Sequence, residues 1–353
     1  MVIGGHESSL KTVNSGVPQG SILGSLLFVL FINDMKLKVT SGTHIALYAD
    51  DTKIWREIKE YIDHLILQND INALLQWSID NKMSFHPAKC KVLKVTRQTE
   101  KFMDKFPYRL GNSCLDYMNQ DRKNEKEKFE KDLGIIVTPN LMWDTHSEML
   151  IRRANSRLGL TKRTCHFVKN RKQRLVLYQT MVRSIFQLCA EIWRPVSKKV
   201  LNKFEALQKR AVKWIYNEEY ISYPDKKYME KLNELEILTI EDRFKYSDLK
   251  LFFRIINSLT CIKLPYYIDL IDPIEVMPGT CRLRSTHKDP LHFKCNIDNV
   301  KPVLRNSFFY RSHVLWNNLP LNLRLILNPS EFDTALKRHL LSELQHSVVL
   351  EPD

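Results

Sequence analysis

Twelve residues constrain this chain more than any others. The run HIALYADDTKIW, His44 to Trp55, sets two apolar β-prone stretches around an Asp50-Asp51 pair. That pattern predicts a β-hairpin with the two carboxylates at its tip. Adjacent carboxylates are poor packing material, because exposed neighbours repel and cannot pair with each other. They suit a hard divalent cation such as Mg²⁺, which prefers oxygen ligands and keeps waters and substrate phosphates in its shell. Two such ions, about 3.5 to 4 Å apart, can clamp the attacking and leaving oxygens of a phosphoryl displacement. Read alone, the same doublet also fits an ordinary surface turn.

The flanking sequence mixes both periodicities. VNSGVPQGS is a turn signal feeding an apolar run from Ile22 to Met35, read as a buried helix. After the hairpin, Leu67, Ile71, Leu74, Leu75 and Ile79 recur at helical spacing in a segment expected to end near Asn81, and CKVLKVT, Cys90 to Thr96, has the β-branched content of a strand. Residues 100–131 are polar and alternate in charge, which predicts a mobile loop, followed by a short strand, LGIIV, Leu133 to Val137. Helical patterns then cover about 145–168, 172–193, 198–217, 226–257 and 330–346, with Pro195 as a break and loops with short strands over 262–310. The division expected is 1–97, 98–143, 144–217 and 218–353.

Charge is distributed unevenly along this layout. The chain carries 54 Lys+Arg and 40 Asp+Glu, a net charge of +14. Residues 1–150 hold 19 basic and 19 acidic side chains, residues 214–353 hold 18 and 19, and residues 151–213 hold 17 and 2. The excess therefore lies in one helical stretch, a field that attracts a polyanion such as a nucleic-acid backbone. A solvated helix face is the plain alternative. A membrane surface fits less well, since the apolar positions there look like core faces.

Seven cysteines without a CxxC pair, and no basic-then-apolar leader at Met1, point to a reducing intracellular compartment. The longest apolar run, Leu23 to Ile32, is half of what a bilayer crossing needs. Cys281, His287, His292 and Cys295 are four possible soft ligands, but their C-x5-H-x4-H-x2-C spacing is unlike the common zinc arrangements. Cys165-His166 sits on a helical pattern where adjacent residues diverge, which argues against a nucleophile and base pair.

Taken in order, GVPQGSILGSLLFVLFINDM, LYADDTKIW, WSIDNKMSFHPAKCKVL and KDLGIIV resemble the consecutive palm motifs of reverse transcriptases from non-LTR, jockey-like retrotransposons. KRTCHFV, YQTMVRSIFQLCAEIWRP and FFYRSHVLWNNLP look like the thumb and following segment of the same elements, so the likeness runs from about Val2 to about Leu340. It implies an α+β fold: a partial right-hand polymerase palm, β-hairpin with helices, then a mostly α-helical thumb and C-terminal region. It also implies RNA-directed DNA polymerase chemistry with Mg²⁺ or Mn²⁺, an RNA template, an RNA:DNA hybrid and a deoxynucleotide as partners.

The resemblance transfers by position. Asp50 and Asp51 match the family's metal-binding carboxylates, with Tyr48 beside them. Ser15, Gly16, Pro18, Gln19 and Gly20 match the turn that lies against template base and nucleotide, though Pro18 and Gly20 also suit a plain helix entry. Lys89 matches a lysine thought to steady the departing pyrophosphate, or is an edge-strand lysine; Leu133 and Gly134 fall where the family holds the primer terminus, or form a plain hairpin turn. Arg152, Arg153, Arg157, Lys162 and Arg163, with Lys169, Arg171, Lys172 and Arg174, fall in the thumb that straddles the duplex. The spacing of Arg153, Arg157 and Lys162 is read as placing them on one helical face.

Two departures matter. Ser25 stands where relatives usually have Pro. The family takes a further metal-binding aspartate from a strand well before the GVPQGS turn, whereas here 14 residues precede Ser15 and Glu7 is the sole carboxylate among them. The expectation is a truncated enzyme that binds nucleic acid but does not polymerise unaided; a non-catalytic RNA or hybrid-binding module is the alternative.

Overall fold

The computed structural model describes residues 2–7, 9, 16, 20–96, 106–118, 131–218, 225–270 and 291–350. Ser15, Pro18, Gln19, Cys281, His287 and most of the expected loop over 100–131 lie outside the described residues. The chain divides into two compact units, Met1–Glu130 and Lys131–Asp353, a coarser division than the four segments expected.

The first unit begins with a short hairpin, β1 (Val2–Ile3) and β2 (His6–Glu7). Helix α1 (Ile22–Ile32) follows, with Ser21 Oγ accepting the Gly24 N–H at 3.0 Å as its N-cap. A 3₁₀ segment, Asn33–Lys38, leads into β3 (Thr43–Tyr48) and β4 (Asp51–Arg56), antiparallel from Thr43↔Arg56 to Tyr48↔Asp51. Helix α2 (Tyr61–Asp80) starts in a Glu60/Asp63 capping box and ends at Asn81. Two small sheets close the unit. Strand β5 (Lys91–Val92) pairs in parallel with β8 (Asp116–Tyr117), and β6 (Arg109–Leu110) pairs antiparallel with β7 (Ser113–Cys114).

Three expectations change here. The apolar run forms a helix, but not a buried one: Ile22 is 90% exposed, and Leu23, Leu26, Val29 and Leu30 are exposed too. A helix that is apolar all round needs neighbours on every side, and within this unit they cover chiefly Gly24, Phe28 and Ile32. The Cys90–Thr96 strand shrinks to Lys91–Val92. Residues 106–118, expected as loop, form strands, because Tyr108, Leu110 and Leu115 bury against Ile71 of α2. The Gly111-Asn112 turn signal inside RLGNSCL was present in the sequence.

The second unit opens on a hairpin, β9 (Lys131–Asp132) and β10 (Ile135–Ile136), so the expected Leu133–Val137 strand begins two residues later and Leu133-Gly134 is its turn. Helix α3 (Asp144–Thr164) buries Leu150, Ile151, Ala154, Leu158 and Thr161, the three- and four-residue spacing of a core stripe. The expected helix over 172–193 is broken into α4 (Arg171–Leu177), a π turn (Tyr178–Val182), a 3₁₀ turn (Arg183–Phe186) and α5 (Ala190–Trp193). Tyr178, Val182, Phe186 and Ala190 are all buried. A strict spacing of four rotates about 40° per step on an ideal α-helix, and the wider π turn absorbs that drift.

Beyond buried Pro195 come α6 (Lys198–Tyr216), α7 (Asp225–Glu234) and α8 (Ile240–Ile256), the last capped by Thr239 Oγ1. A two-stranded sheet, β11 (Ile268–Leu270) and β12 (Phe293–Cys295), precedes α9 (Pro302–Arg305), α10 (Phe308–Asn317), α11 (Leu321–Arg324) and α12 (Pro329–Leu350). Inside, the carboxylate of fully buried Asp248 takes Arg194 at 2.8 Å and Arg311 at 2.8 and 3.0 Å, tying α8 to α10 and to the end of α5. Among the described residues no helix is long and apolar enough to cross a membrane.

Candidate active site

Alternation along the hairpin decides what its tip presents. Ile45, Leu47 and Ile54 face inward onto Ile32, Met35, Leu74 and Trp77. The other face is therefore outward, and its cross-strand pairs are His44↔Trp55, Ala46↔Lys53 and Tyr48↔Asp51. Asp50 occupies the two-residue turn with Ala49, which sits at φ 50°. Both carboxylates are exposed, and Tyr48 beside them is 66% exposed. The structure thus brings Tyr48, Asp50 and Asp51 together at one edge, as the sequence predicted.

The other end of the hairpin is clamped. Arg56 donates from Nε to Asp63 Oδ1 at 3.1 Å and from Nη1 to the Ser41 carbonyl at 3.0 Å and Thr43 Oγ1 at 3.1 Å. Backbone N–H groups of Lys59 and Glu60, with Arg56, hold the Asp63 carboxyl below its usual range. Buried Asp70 accepts from the N–H and hydroxyl of Thr40 at 2.9 and 3.0 Å, fixing the approach to β3. Trp77 Nε1–H donates to Asp34 at 3.0 Å. The tip is exposed on a fixed base.

Gly16 and Gly20 both take left-handed φ, 88° and 86°, and a Cβ at either would touch nothing within 4 Å. Their requirement is thus conformational, with no close backbone neighbour in the described structure. Lys89 ends a single 3₁₀ turn, Pro87–Lys89, and is exposed; it precedes the strand, which corrects the edge-strand reading. Phe85 and Cys90 on either side of it pack into the same cluster as Ile54 of β4. Leu133 and Gly134 form the β9–β10 turn at φ 46° and 88°. Ile136 N–H donates to buried His146 Nδ1 at 3.1 Å, a tether the sequence reading missed. Burial foremost, then Arg153 and Lys131, lowers the His146 pKa to about 4.

The basic block separates into two kinds of residue. Arg152, Arg153, Arg157 and Arg163 lie on the exposed face of α3 opposite its buried stripe. Lys162 does not share it. At roughly 100° per residue, nine residues put it half a turn from Arg153, on a half-buried shoulder. Arg174 is 2% exposed and acts inside the unit, donating to the Val168 carbonyl at 2.6 Å, to the Trp214 carbonyl at the end of α6, and to Asn217 Oδ1 at 3.4 Å. Of the candidate zinc ligands, Cys295 lies in β12 and is half-buried.

As to metal, the oxygen donors of Asp50 and Asp51 have the right chemistry for Mg²⁺, and their exposure leaves room for water and phosphate ligands. Among the described residues no group of three or more His, Cys, Asp or Glu is placed to hold a metal ion. The doublet is a partial ligand set.

The exposed acidic hairpin tip on a helix-backed ribbon, within an α+β unit, is consistent with the palm-like fold that the resemblance implies. The family described as reverse transcriptase (RNA-dependent DNA polymerase) matches residues 2–129, so the first unit of the chain is similar to that family. Among curated proteins it is similar to the RNA-directed DNA polymerase from mobile element jockey of Drosophila melanogaster, 24% identical over 224 residues, 60% of this chain and 23% of the relative. The jockey polymerase of Drosophila funebris is 25% identical over 224 residues, 60% and 23% of the two chains. The probable RNA-directed DNA polymerase from transposon BS of Drosophila melanogaster is 25% identical over 233 residues, 58% and 22%. The chain thus spans less than a quarter of the length of these relatives. No solved structure matches it.

Proposed function

We propose that this chain contributes to RNA-directed DNA synthesis by a non-LTR element, with Asp50 and Asp51 as carboxylate ligands of Mg²⁺ or Mn²⁺ at the polymerisation centre. The observation behind this is the hairpin tip: two exposed carboxylates beside Tyr48, on a ribbon clamped at its far end. The bound ions would supply charge neutralisation for phosphoryl transfer. In this reading Gly16, Pro18, Gln19, Gly20 and Tyr48 meet template and nucleotide, Lys89 meets the departing pyrophosphate, and Leu133 and Gly134 meet the primer end. Arg152, Arg153, Arg157 and Arg163 hold the phosphates of an RNA template or RNA:DNA hybrid inside the cell.

Because the doublet is a partial set, unaided extension by this polypeptide is expected to be absent. The test is primer extension on an RNA template with Mg²⁺ or Mn²⁺, using the full chain and Asp50→Ala, beside filter binding across a salt series. Extension lost in Asp50→Ala would overturn the inactivity and support the ligand assignment. Binding without extension supports the second reading, a non-catalytic RNA or hybrid-binding module, which the exposed arginine face of α3 favours. Binding that ignores salt would remove both readings, since each phosphate contact should steepen the logarithmic slope by about 0.7 to 0.9.

A further inference from the structure

The link between α3 and α4, residues 165–170, presents Phe167 to solvent at 69% exposure. A phenyl ring left in water gains nothing for folding, so its setting matters. From residue 149 to residue 190 the chain has no Asp or Glu, and within five residues of Phe167 lie Lys162, Arg163, Lys169, Arg171 and Lys172. The link is also held from both sides. Val168 N–H donates to the Cys165 carbonyl at 3.1 Å, and the Val168 carbonyl accepts from Nε of buried Arg174 at 2.6 Å. His166 Nδ1–H donates to the Arg163 carbonyl at 3.1 Å, and its ring meets Phe167 edge to face, centroids 5.8 Å apart at 84°. Asn170 Oδ1 then caps α4 through the Gln173 N–H at 3.2 Å. An aromatic ring is thus exposed on a braced turn in a stretch rich in cations, of which Arg171 also pairs with Glu234 at 3.8 Å and lies over the Tyr216 ring.

From this we infer that Phe167 is a stacking platform for an unpaired or terminal nucleobase of a nucleic acid whose phosphates lie along the exposed arginines of α3. A base inside a duplex is already covered on both faces, whereas a single strand or a strand end offers a free one. The neighbouring cations neutralise phosphates, and the ring adds an attraction that salt does not screen. Arg174 braces the backbone that carries the ring, so less backbone ordering is lost on binding. This inference rests on the nucleic-acid reading above and adds the class of ligand to it.

Binding of a single-stranded RNA oligonucleotide and of a blunt hairpin RNA closed by a stable loop, each across a salt series, tests it with the full chain, Phe167→Ala and Phe167→Trp. The expected result is about a ten-fold loss of single-strand affinity in Phe167→Ala, an unchanged salt slope, a smaller effect on the hairpin RNA, and recovery in Phe167→Trp. Equal affinity of wild type and Phe167→Ala, with salt-dependent binding intact, overturns the platform and leaves the arginine face standing. Loss of salt-dependent binding in the wild type itself overturns the underlying reading instead. Anionic phosphatidylserine vesicles form the last arm: binding to them that depends on Phe167 and displaces RNA would assign the ring to a membrane surface and overturn the inference.

Discussion

The unit bearing the carboxylate hairpin and the helical unit solve packing differently. Among the described residues, the first has two cores of four buried apolar side chains each, around Trp77 and Tyr108. The second has clusters of 23 and 13, built on buried aromatics such as Trp193, Phe204, Phe252 and Trp316. The first unit also leaves the apolar helix α1 largely in solvent, whereas α6 buries Val200, Phe204, Leu207, Ala211, Val212 and Ile215 along a single stripe. The proposed carboxylate site thus sits where burial is thin, and the cationic face sits where burial is ample. Stability in this chain should follow the second unit.

The largest expected effect comes from a matched pair of truncations. Trp193 is fully buried against His146, Phe204 and Phe244, so Trp193→Ala should cost the helical unit about 3 to 5 kcal/mol. Trp77→Ala removes a tryptophan of similar burial from the small core and should affect only the first unit. Denaturant unfolding followed by far-ultraviolet circular dichroism reads both. Two transitions, the major one moved by Trp193→Ala and the minor one by Trp77→Ala, sharpen the contrast. A single transition moved equally by both would break it.

A somewhat smaller effect appears on acidification. His146 accepts the Ile136 N–H, so its Nδ1 is unprotonated, and its pKa falls from 6.5 to about 4 in the folded chain. The unfolded state then binds more protons between those values, and stability rises with pH. The contribution is complete above about 6.5 and is lost as pH falls toward 4, up to about 3 kcal/mol at about 1.4 kcal/mol per unit. Thermal melts of wild type and His146→Gln over this range should converge at low pH. Parallel curves would remove His146 as the cause.

How legible all this was depends on whether a residue acts through its neighbours along the chain or across the fold. The hairpin, α2 with its Asn81 end, and the Pro195 break rest on local pattern, and the structure reproduces them. The exposure of α1 did not follow from its composition, because burial depends on what else is present to cover a helix. Arg174 read as one more surface cation, and its inward turn depends on carbonyls of Val168 and Trp214 that sequence distance hides. Lys162 was different: a count of helical rotation from Arg153 would have moved it off the arginine face in advance. For the tip, Tyr48, Asp50 and Asp51 were readable together because a two-residue turn makes them neighbours in both sequence and space.

The smallest effect tests whether the exposed tip owes its order to the clamp at the opposite end of the hairpin. Asp63 has a depressed carboxyl pKa, set first by the Lys59 and Glu60 N–H groups and then by Arg56. Its contribution is therefore present above the unfolded value of 3.8 and fades as pH falls through the lower folded value. Amide exchange in β3 and β4 should accelerate in that acidic window in the wild type, beginning near Thr43 and Arg56, and should be insensitive to pH there in Asp63→Asn. Arg56→Ala, which removes the three hydrogen bonds to Asp63, Ser41 and Thr43, should raise exchange at the base at every pH. The strand rises about 3.4 Å per residue, so Tyr48 and Asp51 lie some 17 Å from the clamp. Loosening confined to the base would show the tip held by Ile45, Leu47 and Ile54 against Trp77, whereas loosening along the whole ribbon would place its control in the Arg56–Asp63 pair.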